Sequence, residues 1–257
     1  MLMEERRQLI LDEINIKNIV YVKELAKRYS VTMETIRKDL EDIINENSEI
    51  RKVYGGALKS SSNIVDESYS LRNELFSNEK NILAKKGVSL INDGDSIFLD
   101  AGTTISKMIP YLKNKKNLKI VTVSLSVINE FVNFFNSIDH THSIFLIGGE
   151  VKLNLLSTSG VKTSLDISNY FFDKAFLTLD GLSLKNGVTS HNHDEALVTK
   201  TALKHSLENI FLVTDEKFDT SKFYKVCDLN QVNFIVSVNP ENNFLKNLVK
   251  NFNINLY

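Results

Sequence analysis

In the stretch Thr32-Met-Glu-Thr-Ile-Arg-Lys-Asp-Leu-Glu-Asp-Ile-Ile44, apolar residues fall at Ile36, Leu40, Ile43 and Ile44, a stripe with the 3.6-residue period of a helix. Glu34, Lys38 and Glu41 point outward, and Thr35 and Arg37 flank the stripe. Thr32 has a side chain suited to capping a helix start, so the spacing predicts a helix over 33–45. Upstream, Val22, Leu25, Ala26 and Tyr29 follow the i, i+3, i+4, i+7 pattern, and Leu9, Ile10 and Ile14 mark one face of an earlier helix. Ser30-Val31 leaves only a brief turn between the second and third helices, and small Ala26 suits a close crossing. This is the pattern of a helix-turn-helix. Downstream, Arg51-Lys-Val-Tyr-Gly-Gly-Ala57 places two cations and an aromatic before a Gly-Gly turn, the composition of a β-wing that lies on a phosphate backbone. The rest of residues 1–59 reads as helix almost throughout.

Composition narrows the remaining choices. The chain has 257 residues, 42% of them apolar and 25% charged, which is ordinary for globular domains and excludes disorder, collagen and disulfide scaffolds. The single Cys227 forms no internal bridge and no multi-thiolate metal site, and its apolar surroundings predict a buried structural thiol in a reducing compartment. The first ten residues carry charge with no apolar run behind them, so neither a secretory signal nor a transit peptide is expected. The longest uncharged run, Leu229 to Pro240, is too short and too polar to span a membrane, and a cytoplasmic location is expected. The net charge of -1 gives no global basic field. Residues 1–59 hold eleven cations and eleven anions, so any DNA affinity must come from cations gathered on one face. On periodicity alone, a three-helix interaction module with solvated charges is also compatible with this half.

Lys59-Ser-Ser-Ser-Asn-Ile-Val-Asp-Glu-Ser68 is polar and without period, which sets a domain at 1–59, a linker at 60–72 and a second domain at 73–257. From Ser96 onward, β-branched runs alternate with helical patterns, the mark of a parallel α/β domain. A helix carrying Ile82, Leu83 and Val88 leads to a strand at Ser96-Ile-Phe-Leu-Asp100, which ends in Ala101-Gly-Thr-Thr104 before another helical run. Gly102 lets backbone approach a ligand, and the amides of a helix start together with Thr103 and Thr104 suit a phosphate. Further strands end at Ser124, at Gly148-Gly-Glu150, at Asp180-Gly181 and at Asp215. Ligands of open parallel sheets gather at such ends, so Asp100, Thr103, Thr104, Ser124, Gly148, Glu150, Asp180 and Asp215 are expected to converge. Each Asp-Gly or Gly-Gly pair by itself is equally an ordinary turn. His191, His193, Asp194 and Glu195, with His140 and His142, raise the question of a metal site. Loop histidines beside a crevice more often donate to an anion or lie in solvent, and no metal is assigned.

Ser30–Leu40 and Arg51–Ala57 resemble the amino-terminal signature of the DeoR family of bacterial sugar-metabolism regulators. Asp100-Ala-Gly-Thr-Thr104 resembles that family's phosphate loop, Ile147-Gly-Gly-Glu150 its Gly-Gly-Glu turn, and Phe172–Leu177 with Asp180-Gly181 its central strand and loop. Gly187–Ser190 with Glu195, Ala196 and Lys200 resembles the stretch that enters its next helix. The resemblance covers essentially the whole chain. It implies an α/β protein with an N-terminal winged helix-turn-helix and a parallel-sheet effector domain of ribose-5-phosphate isomerase-like fold. The function implied is that of a DNA-binding transcriptional regulator, by default a repressor of a carbohydrate-utilisation operon, working as a homo-oligomer, dimer or tetramer, on double-stranded operator DNA. DNA contacts are then expected at Thr32, Thr35, Arg37, Lys38, Arg51, Lys52 and Tyr54. A phosphorylated sugar is expected at Asp100, Gly102, Thr103, Thr104, Ser124, Gly148, Gly149, Glu150, Asp180, Lys200 and Asp215, with no catalytic residue, metal or cofactor.

The chain departs from the family with Ser30 for a usual Gly, Tyr54 for a usual His, Val123 for a common Asn, Thr178-Leu179 for small residues, and a 214–218 segment one residue short. Loss of an amide at Val123 and added bulk at Leu179 are expected to reshape the pocket, so the sugar is not borrowed from a relative. The alternative is a sugar-phosphate isomerase-like enzyme with an N-terminal helical module, for which Asp180, Glu195 and Lys200 supply the residue types. The related enzymes carry paired acidic residues in an Asp-Gly-Ala-Asp loop, whereas this chain shows only Leu179-Asp-Gly-Leu182, and this alternative leaves the first 59 residues without a role.

Overall fold

A computed structural model describes residues 3–17, 19–53, 56–59, 69–136 and 140–257. The chain divides into two compact units, Met1–Val65 and Asp66–Tyr257.

In the first unit, α1 (Met3–Lys17), α2 (Val22–Tyr29) and α3 (Met33–Glu46) enclose Ile10, Ile14, Leu25, Ile36, Leu40 and Ile43. Thr32 caps α3 by accepting from the Thr35 amide at 3.1 Å. Leu9 does not belong to the buried face of α1: it is 44% exposed, whereas Ile10 and Ile14 are fully buried. The helical reading also misses a strand, β1 (Ile19–Tyr21), which pairs antiparallel with β3 (Gly56–Lys59), itself paired with β2 (Ile50–Val53). Three strands in the order β1-β3-β2 thus frame the expected wing. Tyr54 and Gly55, at its turn, lie outside the described residues. Ser30 ends α2 in the left-handed region at φ 55, the conformation that favours glycine and that here a serine must adopt. Ser30→Gly is therefore expected to stabilise this unit by about 0.5–1 kcal/mol in urea unfolding.

An acid that the sequence reading assigns no role joins α1 to α3. Asp39 is 1% exposed and accepts from Arg6 Nε at 2.6 Å, Arg6 Nη2 at 3.1 Å and Arg7 Nε at 3.2 Å, while Arg7 also reaches Asp42.

The second unit opens with α4 (Tyr69–Glu74) and α5 (Ser77–Ser89). It continues with β4 (Ser96–Leu99), α6 (Thr103–Ser106), β5 (Lys119–Thr122), α7 (Leu125–Phe135), β6 (Ser143–Leu146), β7 (Glu150–Lys152), β8 (Ser157–Ser159) and α8 (Val161–Ile167). The rest is β9 (Phe172–Leu177), β10 (Gly181–Ser183), β11 (Gly187–Ser190), α9 (His193–Lys204), β12 (Ser206–Leu212), β13 (Tyr224–Cys227), β14 (Phe234–Val236), α10 (Asn243–Asn251) and β15 (Asn255–Leu256). Seven strands form one sheet in the order β15-β14-β12-β9-β4-β5-β6, with every neighbouring pair parallel.

Alternation along the strands sends Phe98, Ala175, Leu177 and Phe211 to one buried face and Ile97, Leu99, Phe176, Ile210 and Leu212 to the other. Both faces are covered, which is why these strands read as unbroken apolar runs. No helix among the described residues is long and apolar enough to cross a membrane.

Val123 and Leu179 are both buried in the hydrophobic cluster. Three details differ from the sequence reading. Ile82 is 45% exposed, and only Leu83 and Val88 of its trio enter the core. The run after Thr104 is a single helical turn followed by a tighter 3-10 helix over Ile109–Asn114. Within the expected linker, residues 60–68 lie outside the described residues and Tyr69–Glu74 is helical. The Tyr69 amide donates to the Asn154 carbonyl at 2.8 Å, and its hydroxyl meets Ser106 Oγ at 2.7 Å. Cys227 is buried on β13, where burial pushes its thiol up to about 12.

Candidate functional sites

On α3, Arg37 and Lys38 are exposed and make no hydrogen bond or ion pair among the described residues. Much of the other positive charge in this unit is neutralised locally. Arg6 and Arg7 are held by Asp39 and Asp42, and Arg28 by Glu13. Lys59 lies 3.6 Å from Glu49. Lys52 is exposed but bridges to Glu41 at 2.7 Å, which ties the wing to α3. Thr32 and Thr35 share a hydroxyl contact of 2.9 Å, so both serve the helix start. Arg51 lies on β2. Equal numbers of cations and anions thus still leave Arg37 and Lys38 exposed without an ion pair among the described residues.

In the second unit, Asp100, Ser124, Ile147, Thr178 and Thr214 all follow the carboxyl ends of neighbouring parallel strands. Asp100 is buried and accepts from the Ala101 amide at 2.8 Å, the Thr178 amide at 3.2 Å and the Thr199 hydroxyl at 3.3 Å. Burial raises its carboxyl to about 6 against these hydrogen bonds. Asp100 therefore positions the loop, and a Cβ on Gly102 would come to 3.0 Å from the Thr178 methyl, so a side chain there would crowd Thr178. Asp180 accepts from Ser190 Oγ and the His191 amide, both at 3.0 Å. Burial pushes Asp180 up, but Lys217 and the His191 amide outweigh it, and the carboxyl stays below its ordinary range.

Several expected contacts are occupied by local structure. Ser124 is fully buried and caps α7, accepting from the Val127 amide at 3.2 Å. Gly149 passes so close to Thr163 that a Cβ would fall 1.9 Å from its hydroxyl, and that hydroxyl donates to the Gly148 carbonyl at 2.9 Å. Glu150 is exposed and pairs with Lys152 at 2.7 Å. On α9 it is Thr199 that reaches Asp100, while the charge of the adjacent Lys200 is felt at Cys227. Asp215 is exposed, and partial burial with nearby Glu216 and Glu79 raises its carboxyl. His140 and His142 stack at 5.8 Å, with Phe131 and Phe135 at their edges. Among the described residues no group of three or more His, Cys, Asp or Glu side chains stands ready to hold a metal ion.

What the sequence reading misses is positive charge around Thr103. Lys80 on α5 is buried and donates from Nζ to the Arg72 carbonyl, which Thr103 Oγ1 also meets at 3.4 Å. Lys217 donates to the Leu179 carbonyl. Burial, reinforced by repulsion from Lys217, Arg72 and Lys107 and opposed by Glu216, lowers Lys80 to about 7. Arg72 Nε is buried without a hydrogen-bond partner. Thr104 is buried beside this cluster and makes no hydrogen bond from its hydroxyl among the described residues. Lys80, beside the Thr-Thr loop, thus lies within electrostatic reach of Arg72, Lys107 and Lys217, an arrangement suited to an anion with several acceptor oxygens.

Residues 6–63 match the family described as DeoR-like helix-turn-helix domain, and residues 76–238 match the DeoR C terminal sensor domain. The lactose phosphotransferase system repressor of Staphylococcus epidermidis is 32% identical over 90% of this chain and 92% of its own length. The HTH-type transcriptional regulator FruR of Bacillus subtilis is 30% identical over 92% of each chain. A solved D-ribose-5-phosphate isomerase in complex with phospho-erythronic acid is similar over 56% of this chain and 55% of its own, at 17% identity and a TM-score of 0.41.

Proposed function

Because the chain belongs to the DeoR family of transcriptional regulators, we propose that it represses a carbohydrate-utilisation operon in the cytoplasm and is controlled by a phosphorylated sugar bound in its second unit. The observation that carries the effector reading is buried Lys80, whose Nζ shares the Arg72 carbonyl with Thr103 Oγ1 and which feels the charges of Lys107 and Lys217. Phosphate recognition belongs to Lys80, Lys107 and Lys217 with Gly102, Thr103 and Thr104. Asp180, already oriented by Ser190 and His191, is placed to accept from a sugar hydroxyl near Lys217. Asp100 acts as a positioning residue for this loop. The chain is not read as an enzyme, since Asp180-Gly181 is followed by Leu182-Ser183, which leaves no second carboxylate in that loop.

In the DNA-binding unit, residues 1–59, α3 enters the major groove with Arg37 and Lys38 toward bases or phosphates, and the wing lays Arg51 on the backbone. One such helix covers half a site, so the working species is a homo-oligomer. The exposed apolar residues Phe145 and Leu146 on edge strand β6, with Val161 and Leu165 on α8, offer surface for a second copy.

Fluorescence anisotropy tests this at fixed salt, with DNA from the protein's own upstream region, a scrambled duplex and a panel of sugar phosphates. Arg37→Ala is expected to weaken operator binding by roughly tenfold or more with sugar-phosphate binding intact. Thr103→Val should do the reverse. A folded variant that loses both activities would contradict this division of labour.

A further inference from the structure

Arg72 lies in α4, the first described helix after residues 60–68, and its carbonyl is among the last four of that helix, which have no partner within it. Two donors from elsewhere hold this carbonyl: Lys80 Nζ from α5 and, at 3.4 Å, Thr103 Oγ1 from the loop after β4. Both are groups that the reading above assigns to the effector. Resting on that reading, we propose that an anion bound at this cluster competes with the Arg72 carbonyl for Lys80 and Thr103, so that filling the site releases α4.

Three physical points favour the anion in this competition. An ionised phosphoryl oxygen offers the ammonium a full opposite charge, which a neutral carbonyl does not. The anion would also sit at the negative end of the α4 dipole, where it weakens the helix. Finally, α4 has only six residues, too few to persist without external contacts. Its other hydrogen-bonded tethers among the described residues are the Tyr69 amide to the Asn154 carbonyl and the Tyr69 hydroxyl to Ser106. Ser106 in turn donates to the Thr103 carbonyl at 3.1 Å, so movement of Thr103 is felt at the second tether too. Site occupancy is thereby converted into the order of the helix through which the chain enters the second unit.

Hydrogen–deuterium exchange on the full chain, with inorganic phosphate as probe, chloride at equal ionic strength as control, and calorimetry to establish saturation, separates the outcomes. Amides of 70–74 should exchange about tenfold faster with phosphate bound, while α5 does not loosen. Measured binding with unchanged or slower exchange in α4 overturns the release and leaves the anion site standing. No binding heat removes the anion site, and the release falls with it. Lys80→Met keeps the stem without the ammonium and should show fast α4 exchange with no phosphate present; slow exchange in that variant also overturns the proposal.

Discussion

Asp39→Ala is expected to destabilise the DNA-binding unit by about 3–5 kcal/mol and to abolish operator binding, while phosphate binding by the second unit is retained. The carboxylate is 1% exposed and receives three charge-assisted hydrogen bonds from Arg6 and Arg7, and Arg6 is itself buried. Removing the acid leaves a buried guanidinium without its counter-charge, and this penalty exceeds whatever the intact pair contributes over an apolar contact. A unit of this size has a total stability of only about 5–15 kcal/mol, so the loss is a large fraction of it. Because the chain divides into two compact units, urea unfolding should split, with an early transition for the first unit and an unshifted one for the second. Replacing both partners, Arg6→Met with Asp39→Leu, should recover most of the loss. An Asp39→Ala protein that unfolds in one transition at the wild-type midpoint would refute this account of how α1 is fastened to α3.

The same acid shows where sequence reading stops. The stripe Ile36, Leu40, Ile43 is legible because helical period acts within one element, and the buried strands are legible because both faces of a parallel sheet are covered. Asp39 follows Arg37 and Lys38 on that helix and looks solvated, because its partners lie more than thirty residues earlier in the chain. Strand β1 is three residues long and pairs with β3 nearly forty residues on, so it carries no local period. Leu9 and Ile82 mislead for the opposite reason: each lies next in sequence to a core residue, and one position of rotation places it in solvent.

The effector site divides in the same way. Gly102, Thr103 and Thr104 are visible as a strand-to-helix motif. Arg72 and Lys80 look like ordinary charges on a linker and a helix, and only the tertiary fold brings them to Thr103 and Lys217. Ser124 and Gly149, by contrast, stand near strand ends as expected, with contacts that go to capping and close packing, while Lys200 lies within α9, where its charge is felt at Cys227.

Lys80→Met should show that the cation cluster stores repulsion for the sake of its ligand. Lys80 is held near 7 rather than 10.5 by burial first and by Lys217, Arg72 and Lys107 next, with Glu216 opposing. A depression of that size corresponds to roughly 5 kcal/mol between the charged and neutral forms, as an upper order of magnitude. The sign follows from proton counting. Between about 7 and 10.5 the unfolded chain keeps this proton and the folded chain does not, so this group's contribution to stability rises with pH across that window. At and below about 7 the full penalty of a buried, repelled ammonium is present. The methionine variant should therefore be more stable than wild type by about 2–4 kcal/mol at pH 6, once the lost hydrogen bond to Arg72 is deducted. Its advantage should shrink as pH rises and turn into a slight deficit near pH 10. Function should move the opposite way: phosphate affinity falls at least about tenfold, as for loss of one charge-assisted contact in a partly desolvated site. The wild-type loss of affinity between pH 7 and pH 8.5, where Lys80 gives up its proton, should disappear with it. Equal or lower stability of Lys80→Met at pH 6 would mean that the four cations do not oppose folding, and the strongest physical sign of an anion site would be lost.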